Sequence, residues 1–130
     1  MKIDFLFHPP LVHFPIAFYF FELLLLFFWT ARKNPDYLRF ARFSFLTGYV
    51  FMIPTLIAGW TDAGGFVPLV RTHALFAASV ALVYTLRLFY WWKGRPEQIN
   101  YQKIQLAGAI IGYLLVIITG FEGGELVYGK

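Results

Sequence analysis

The sequence predicts an all-α protein, a four-helix transmembrane bundle with both termini on the extracytoplasmic side. The chain is 59% hydrophobic and only 14% charged, whereas a soluble domain carries about 25% charged residues to cover its surface. Four apolar stretches are each long enough to cross a bilayer, which takes roughly 20 residues. The connections between them are short, so neighbouring helices are expected to be antiparallel. We therefore interpret residues 1–130 as one integral membrane domain.

The four predicted spans follow one another with little sequence between them. They cover about residues 10–29, 43–60, 73–92 and 104–121. The first span opens on Pro9 and Pro10, which a first helical turn accommodates because its amide hydrogens lack partners anyway. Pro15 lies deeper, and we expect it to kink the helix and turn His13 toward the bundle. The fourth span contains GAIIG, a GxxxG helix-packing motif. Tryptophans stand at the span ends, where interfacial anchors are expected: Trp29, Trp60, Trp91 and Trp92.

The distribution of Lys and Arg predicts which way the spans run. Four spans place both termini on one side, and the opposite side carries most basic residues: Arg32, Lys33, Arg39, Arg42, Lys93, Arg95 and Lys103. The terminal side carries only Lys2, Arg71 and Lys130. Because cytoplasmic loops are enriched in Lys and Arg, we expect an N-out, C-out protein of the bacterial cytoplasmic (inner) membrane. Arg87, near the end of span three, is expected to extend toward the interface.

Composition also narrows the functions to consider. The chain has no cysteine, which removes disulfides, thiolate metal sites, iron–sulfur clusters and covalent c-type haem attachment. The net charge of +4 comes from basic residues that are distributed as membrane topology requires. The charge is therefore no sign of a nucleic-acid partner, and none is predicted. The spacings of the phosphate-binding glycine loops are missing as well. The lipid bilayer is the partner that composition itself predicts.

Polar residues gather at the terminal end of the predicted bundle. The cluster comprises His8, His13, Asp62, His73 and Glu122. Ionisable groups inside membrane spans usually face the bundle interior and mark a function. This cluster is therefore the predicted site.

Two of the histidines predict a haem. Ala17 follows His13 by four residues and Ala77 follows His73 by four, so each pair shares one helix face. Axial imidazoles from two helices beside small residues suit a flat macrocycle in a bundle. We predict that His13 and His73 ligate the iron of one haem b near the extracytoplasmic surface. Arg71 is expected to pair with a haem propionate.

Other interpretations of the polar residues stay open. A zinc or iron site is one alternative, built from His8, His13 and His73 with Asp62 or Glu122. A cluster that only locks the bundle, with no cofactor, is another. Glu22, near mid-bilayer in span one, suits proton relay or contact with a quinone. For Glu22 we favour a hydrogen-bonded contact between helices.

Several motifs together resemble a known family. The segments HPPLVHFPIAF, GWTD and EGGELVY, with His73 at the head of span three, resemble the bacterial predicted membrane proteins grouped as domain of unknown function 2231. The resemblance covers nearly the whole chain and brings no established activity. The resemblance implies that the functional residues of the chain are His8, His13, Asp62, His73 and Glu122. Relatives fused or adjacent to Rieske-type domains imply a redox role, for which a partner would supply the soluble domain.

The predicted function is that of a membrane b-type cytochrome or electron-transfer subunit. It would pass electrons between quinone and a Rieske-type or c-type cytochrome partner, as a redox subunit rather than a stand-alone enzyme. One alternative is a non-enzymatic structural or assembly subunit of a membrane complex. Another is a metal-dependent membrane enzyme that uses the histidines and carboxylates. The exposed apolar faces suit a homo-oligomer or a larger complex as well as lipid.

Overall fold

A computed structural model describes the backbone of residues 8–62 and 71–128, and the side chains of residues 13–59, 71 and 73–121. This part of the chain forms four helices and no strand: α1 (His8–Arg32), α2 (Pro35–Asp62), α3 (Arg71–Lys93) and α4 (Tyr101–Tyr128). All four are long and apolar enough to cross a membrane. The predicted all-α fold with four spanning helices is confirmed.

The turn between α1 and α2 is short because its residues are suited to end one helix and start the next. The Lys33 amide donates to the carbonyl of Trp29 at 2.7 Å, and Lys33 has a positive φ of 59°. Asn34 caps α2 through its Oδ1, which accepts a hydrogen bond from the Asp36 amide at 2.9 Å. Pro35 takes the first helical position, which tolerates proline. As a result α2 begins eight residues before the predicted span.

Each helix buries one stripe of residues three or four positions apart, as expected for packing along a bundle seam. The stripe of α1 comprises Pro15, Tyr19, Glu22 and Leu26. That of α2 comprises Ala41, Phe45, Gly48, Met52 and Thr55. In α3 it comprises Val80, Tyr84, Arg87 and Trp91, and in α4 Tyr101, Gln105, Ala109, Gly112 and Val116. The charged and amide side chains in these stripes lie inside the bundle.

The helices are not equally close to one another. α1 and α2 pack along most of their length, whereas α2 and α3 meet at few points. Gly48 permits the close approach on the first side, because a Cβ there would lie 2.9 Å from Cε1 of Tyr19. A shallow groove therefore remains on the second side, between α2 and α3.

Side-chain contacts fix the register between α1 and α3. Tyr19 stacks on Tyr84 and Glu22 binds Arg87, and both pairs are 65 positions apart in the sequence. The two helices thus run in the same direction with a constant offset. By this offset His13 is level with Ala78, and His73 is level with position 8 of α1. At 1.5 Å per residue, His13 and His73 are about 7.5 Å apart along the bundle axis.

Candidate functional site: a buried polar network

The centre of the bundle holds an ion pair between α1 and α3. Nη1 of Arg87 donates to Oε1 of Glu22 at 2.7 Å, and Nη2 donates to Oε2 at 2.5 Å. Glu22 is 0% exposed and Arg87 is 6% exposed. The planar guanidinium matches the two carboxylate oxygens, which is the strongest geometry for such a pair.

Three more side chains extend the pair into a network across α1, α3 and α4. The indole Nε1 of Trp91 donates to Oε2 of Glu22 at 3.0 Å. Nη2 of Arg87 also donates to Oε1 of Gln105 at 3.3 Å, and Nε2 of Gln105 donates to the Tyr101 hydroxyl at 3.1 Å. Glu22 therefore receives three hydrogen bonds, which offset much of the cost of burying its charge.

Aromatic rings enclose the Arg87 guanidinium. Its Cζ lies 5.0 Å from the ring centroid of Phe45 and 5.6 Å from that of Tyr84, distances at which the ring faces attract a cation. Tyr84 in turn stacks on Tyr19 with centroids 3.7 Å apart. The network is thus shielded from the surrounding hydrocarbon by its own neighbours.

Two glycines of α4 make room for the network. A Cβ at Gly108 would lie 3.1 Å from Nε of Arg87, and one at Gly112 would lie 3.0 Å from Cζ of Tyr84. These are the glycines of the GAIIG motif, so its predicted role in helix packing is confirmed. Within the described residues, Nε of Arg87 and the hydroxyl of Tyr84 have no hydrogen-bond partner.

Two predictions about this region are wrong and one is confirmed. Arg87 does not extend to the interface, because Glu22 holds it inside the bundle. Trp91 is no interfacial anchor, because it is buried with its indole N–H on Glu22. Glu22 makes the hydrogen-bonded contact between helices that we favoured. Gln105 and Tyr101 were missed, although an amide in an apolar span is a signal of the same kind.

The structure places the predicted haem residues on different kinds of surface. His13 and Ala17 are exposed, on the side of α1 away from its buried stripe. The helix continues through Pro15, which does not turn His13 inward. His73 and Ala77 are half-buried on α3. His13 and Ala17 thus lie on the outer side of α1, His73 and Ala77 lie partly inside the bundle, and haem ligation by the two histidines stays a prediction.

The rest of the predicted cluster is only partly covered. Arg71 is exposed at the first position of α3. The side chains of His8, Asp62 and Glu122 lie outside the described residues. Among the residues that are described, no group of three or more His, Asp and Glu is placed to hold a metal ion. The metal alternative, which depends on those three side chains, stays a prediction.

Four spanning helices around a buried ion pair define a multi-pass integral membrane protein. The model of one protein family, described as "Predicted membrane protein (DUF2231)", matches residues 5–130. The chain therefore belongs to that family, and the resemblance predicted from its motifs is confirmed. No curated protein and no solved structure matches the chain.

Proposed function

We propose that this chain is a non-enzymatic structural subunit of a bacterial membrane complex. The single observation that supports this is the network around Glu22 and Arg87, in which Nε is the one guanidinium nitrogen without a partner among the described residues. The carboxylate oxygens, the Nη atoms, the indole N–H and the Gln105 amide all bind side chains of this same chain. A proton relay or a quinone site would need a polar atom directed at a pathway or ligand. Here the polar groups join three helices to one another.

Paired substitutions test whether the ion pair serves the fold alone. Arg87→Met leaves a buried carboxylate and Glu22→Met leaves a buried guanidinium. Each single change is expected to cost about 3–5 kcal/mol of stability, because an unpaired charge stays in the core. The double variant Glu22→Met/Arg87→Met replaces both charges by apolar groups and should recover most of that loss.

The measurement is unfolding in mixed micelles under an SDS titration, with Asp36→Asn/Arg39→Met as a control. Asp36 and Arg39 form an exposed ion pair at 2.8 Å, so this control is expected to change stability by less than about 1 kcal/mol. A double variant that is no more stable than the single variants contradicts a purely structural pair. Haem or metal bound to the purified wild-type protein contradicts the proposed function as a whole.

Binding of one haem b at the terminal end is a second candidate, and one observation favours it. His73 is half-buried and lies seven residues before Val80, on the side of α3 that carries the buried stripe. The offset between α1 and α3 makes position 8 level with His73, whereas His13 is about 7.5 Å away along the axis. Two histidines at one depth would hold a single haem better than histidines at different depths. We therefore place His8 before His13 as the second ligand.

An absorption spectrum of the purified protein, with histidine variants, tests this candidate. The candidate is supported if the wild type shows a Soret band that is lost in His73→Ala and in His8→Ala. His13→Ala should keep that band. A band that depends on His13 instead restores the ligand pair predicted from the sequence. Such a chain would connect quinone with a Rieske-type or c-type cytochrome partner, and Arg71 would pair with a propionate. If no Soret band is seen, haem binding is ruled out and the structural function remains as the proposal.

A further inference from the structure

A groove lies between α2 and α3, lined by one arginine and five apolar or aromatic side chains. Its volume is about 360 Å³, and it is lined by Arg42, Leu46, Leu88, Phe89, Trp91 and Trp92. Because α2 and α3 are antiparallel, Arg42 and Trp92 lie at its end nearest the α3–α4 connection, and Leu46 and Leu88 lie deeper in the bundle. The groove is thus polar at one end and apolar along the rest of its length.

The polar end carries positive charge without a counter-charge from the chain. Arg42 is exposed and forms no hydrogen bond or ion pair with any described residue. Lys93 follows Trp92 at the end of α3, with its Nζ 4.6 Å from the ring centroid of Trp92. The described carboxylates near this end are Asp36, which binds Arg39, Glu97 in the α3–α4 connection, and Glu22 behind Trp91, which is paired with Arg87. Seven Lys and Arg residues share this end of the bundle.

We propose that the groove binds one anionic glycerophospholipid. The phosphate of the headgroup lies at Arg42, whose guanidinium suits phosphate geometry. One acyl chain runs inward over Leu46 and Leu88, where apolar area is buried against apolar area. Trp92, 66% exposed, lies at headgroup depth, as tryptophans in membrane proteins commonly do.

The site also touches the buried network from outside. One face of Trp91 lines the groove, while its indole N–H donates to Glu22. A lipid chain in the groove therefore packs against a residue that holds the ion pair in place. This connection predicts that an anionic lipid raises the stability of the wild-type bundle.

Tryptophan quenching by brominated lipids tests the site. The probes are phosphatidylglycerol and phosphatidylcholine with brominated acyl chains, titrated into the protein in micelles of neutral detergent. Half-maximal quenching of the wild type is expected at about fivefold less phosphatidylglycerol than phosphatidylcholine, the effect of one Arg near an anionic surface. Arg42→Gln should remove this difference, and Arg42→Lys should keep most of it.

Arg39→Gln is the matched control, because Arg39 is an exposed arginine one turn away that is already paired with Asp36. It is expected to keep the wild-type preference. Equal quenching of the wild type by both lipids overturns the proposal, as does an equal loss in Arg39→Gln and Arg42→Gln. The proposal is also overturned if neither lipid quenches the fluorescence. If light scattering then shows a dimer, the groove is assigned to a second copy of the chain. Displacement of both lipids by a short-chain quinone assigns it to quinone.

Discussion

Trp91 and Glu22 are joined by a hydrogen bond of 3.0 Å from the indole Nε1 to Oε2. The bond connects the last turns of α3 to the middle of α1, and both residues are buried. Trp91→Phe keeps an aromatic ring and removes the donor. A hydrogen bond to a charged group contributes about 1.5–3 kcal/mol, so we expect a loss of stability of that size under SDS titration.

Trp92→Phe is the control for this change, since Trp92 is largely exposed beside Lys93. It should leave the stability within about 0.5 kcal/mol of the wild type, as surface substitutions usually do. Equal losses in the two variants would mean that the indole N–H of Trp91 contributes nothing specific to the bundle.

Gly48→Ala tests the close approach of α1 and α2. The new Cβ would lie 2.9 Å from Cε1 of Tyr19 and 3.1 Å from Cβ of Phe18. Tyr19 has no room to move, because its ring stacks on Tyr84. We expect a loss of about 1–3 kcal/mol from overpacking. Gly120→Ala, at a position with no atom within 4 Å of the new Cβ, should be neutral or gain up to about 1 kcal/mol of helix propensity.

Tyr84→Phe and Tyr101→Phe make a matched pair of hydroxyl deletions. The Tyr84 hydroxyl is buried without a hydrogen-bond partner among the described residues, so its removal should be neutral or slightly stabilising. The Tyr101 hydroxyl accepts from Gln105 at 3.1 Å, so its removal should cost about 1–2 kcal/mol. Thermal unfolding in detergent measures both. The reverse order would contradict the hydrogen bonding described for this core.

Single cysteines report the orientation, because the natural chain has none. Ile99, 89% exposed in the α3–α4 connection, and Arg71, exposed at the start of α3, serve as positions on opposite ends. A membrane-impermeant maleimide added to intact cells should label Arg71→Cys and leave Ile99→Cys unlabelled until lysis. The opposite pattern would place the basic end outside the cytoplasm and contradict the orientation inferred from Lys and Arg.

The sequence predicted the helices well because a span needs only length and apolar composition. It did not predict the partner of Glu22, because pairing across helices depends on their register, and the register is set by contacts such as Tyr19 on Tyr84. Arg87 lies close enough to a basic segment that extension to the interface was the simpler interpretation. The sequence nevertheless contains a signal for the pair, because ionisable residues in membrane spans usually pair with one another, and Glu22 and Arg87 lie in two different spans.

The exposed position of His13 differs from the predicted inward one for another reason. The pairing with Ala17 does not define an inward face, because alanines of these helices occupy both exposed and buried positions, as Ala107 and Ala109 do. The spacing of Pro15, Tyr19, Glu22 and Leu26 marks the buried stripe instead, and His13 is not part of it. A buried carboxylate fixes the inner face of such a helix better than an alanine does.

The two residues of the ion pair are synthesised at different times. Glu22 precedes Arg87 by 65 residues, so at about 5–20 residues per second it emerges roughly 3–13 s before its partner exists. During that interval Arg87 is not yet available to Glu22. The ion pair therefore forms only after α3 has been synthesised.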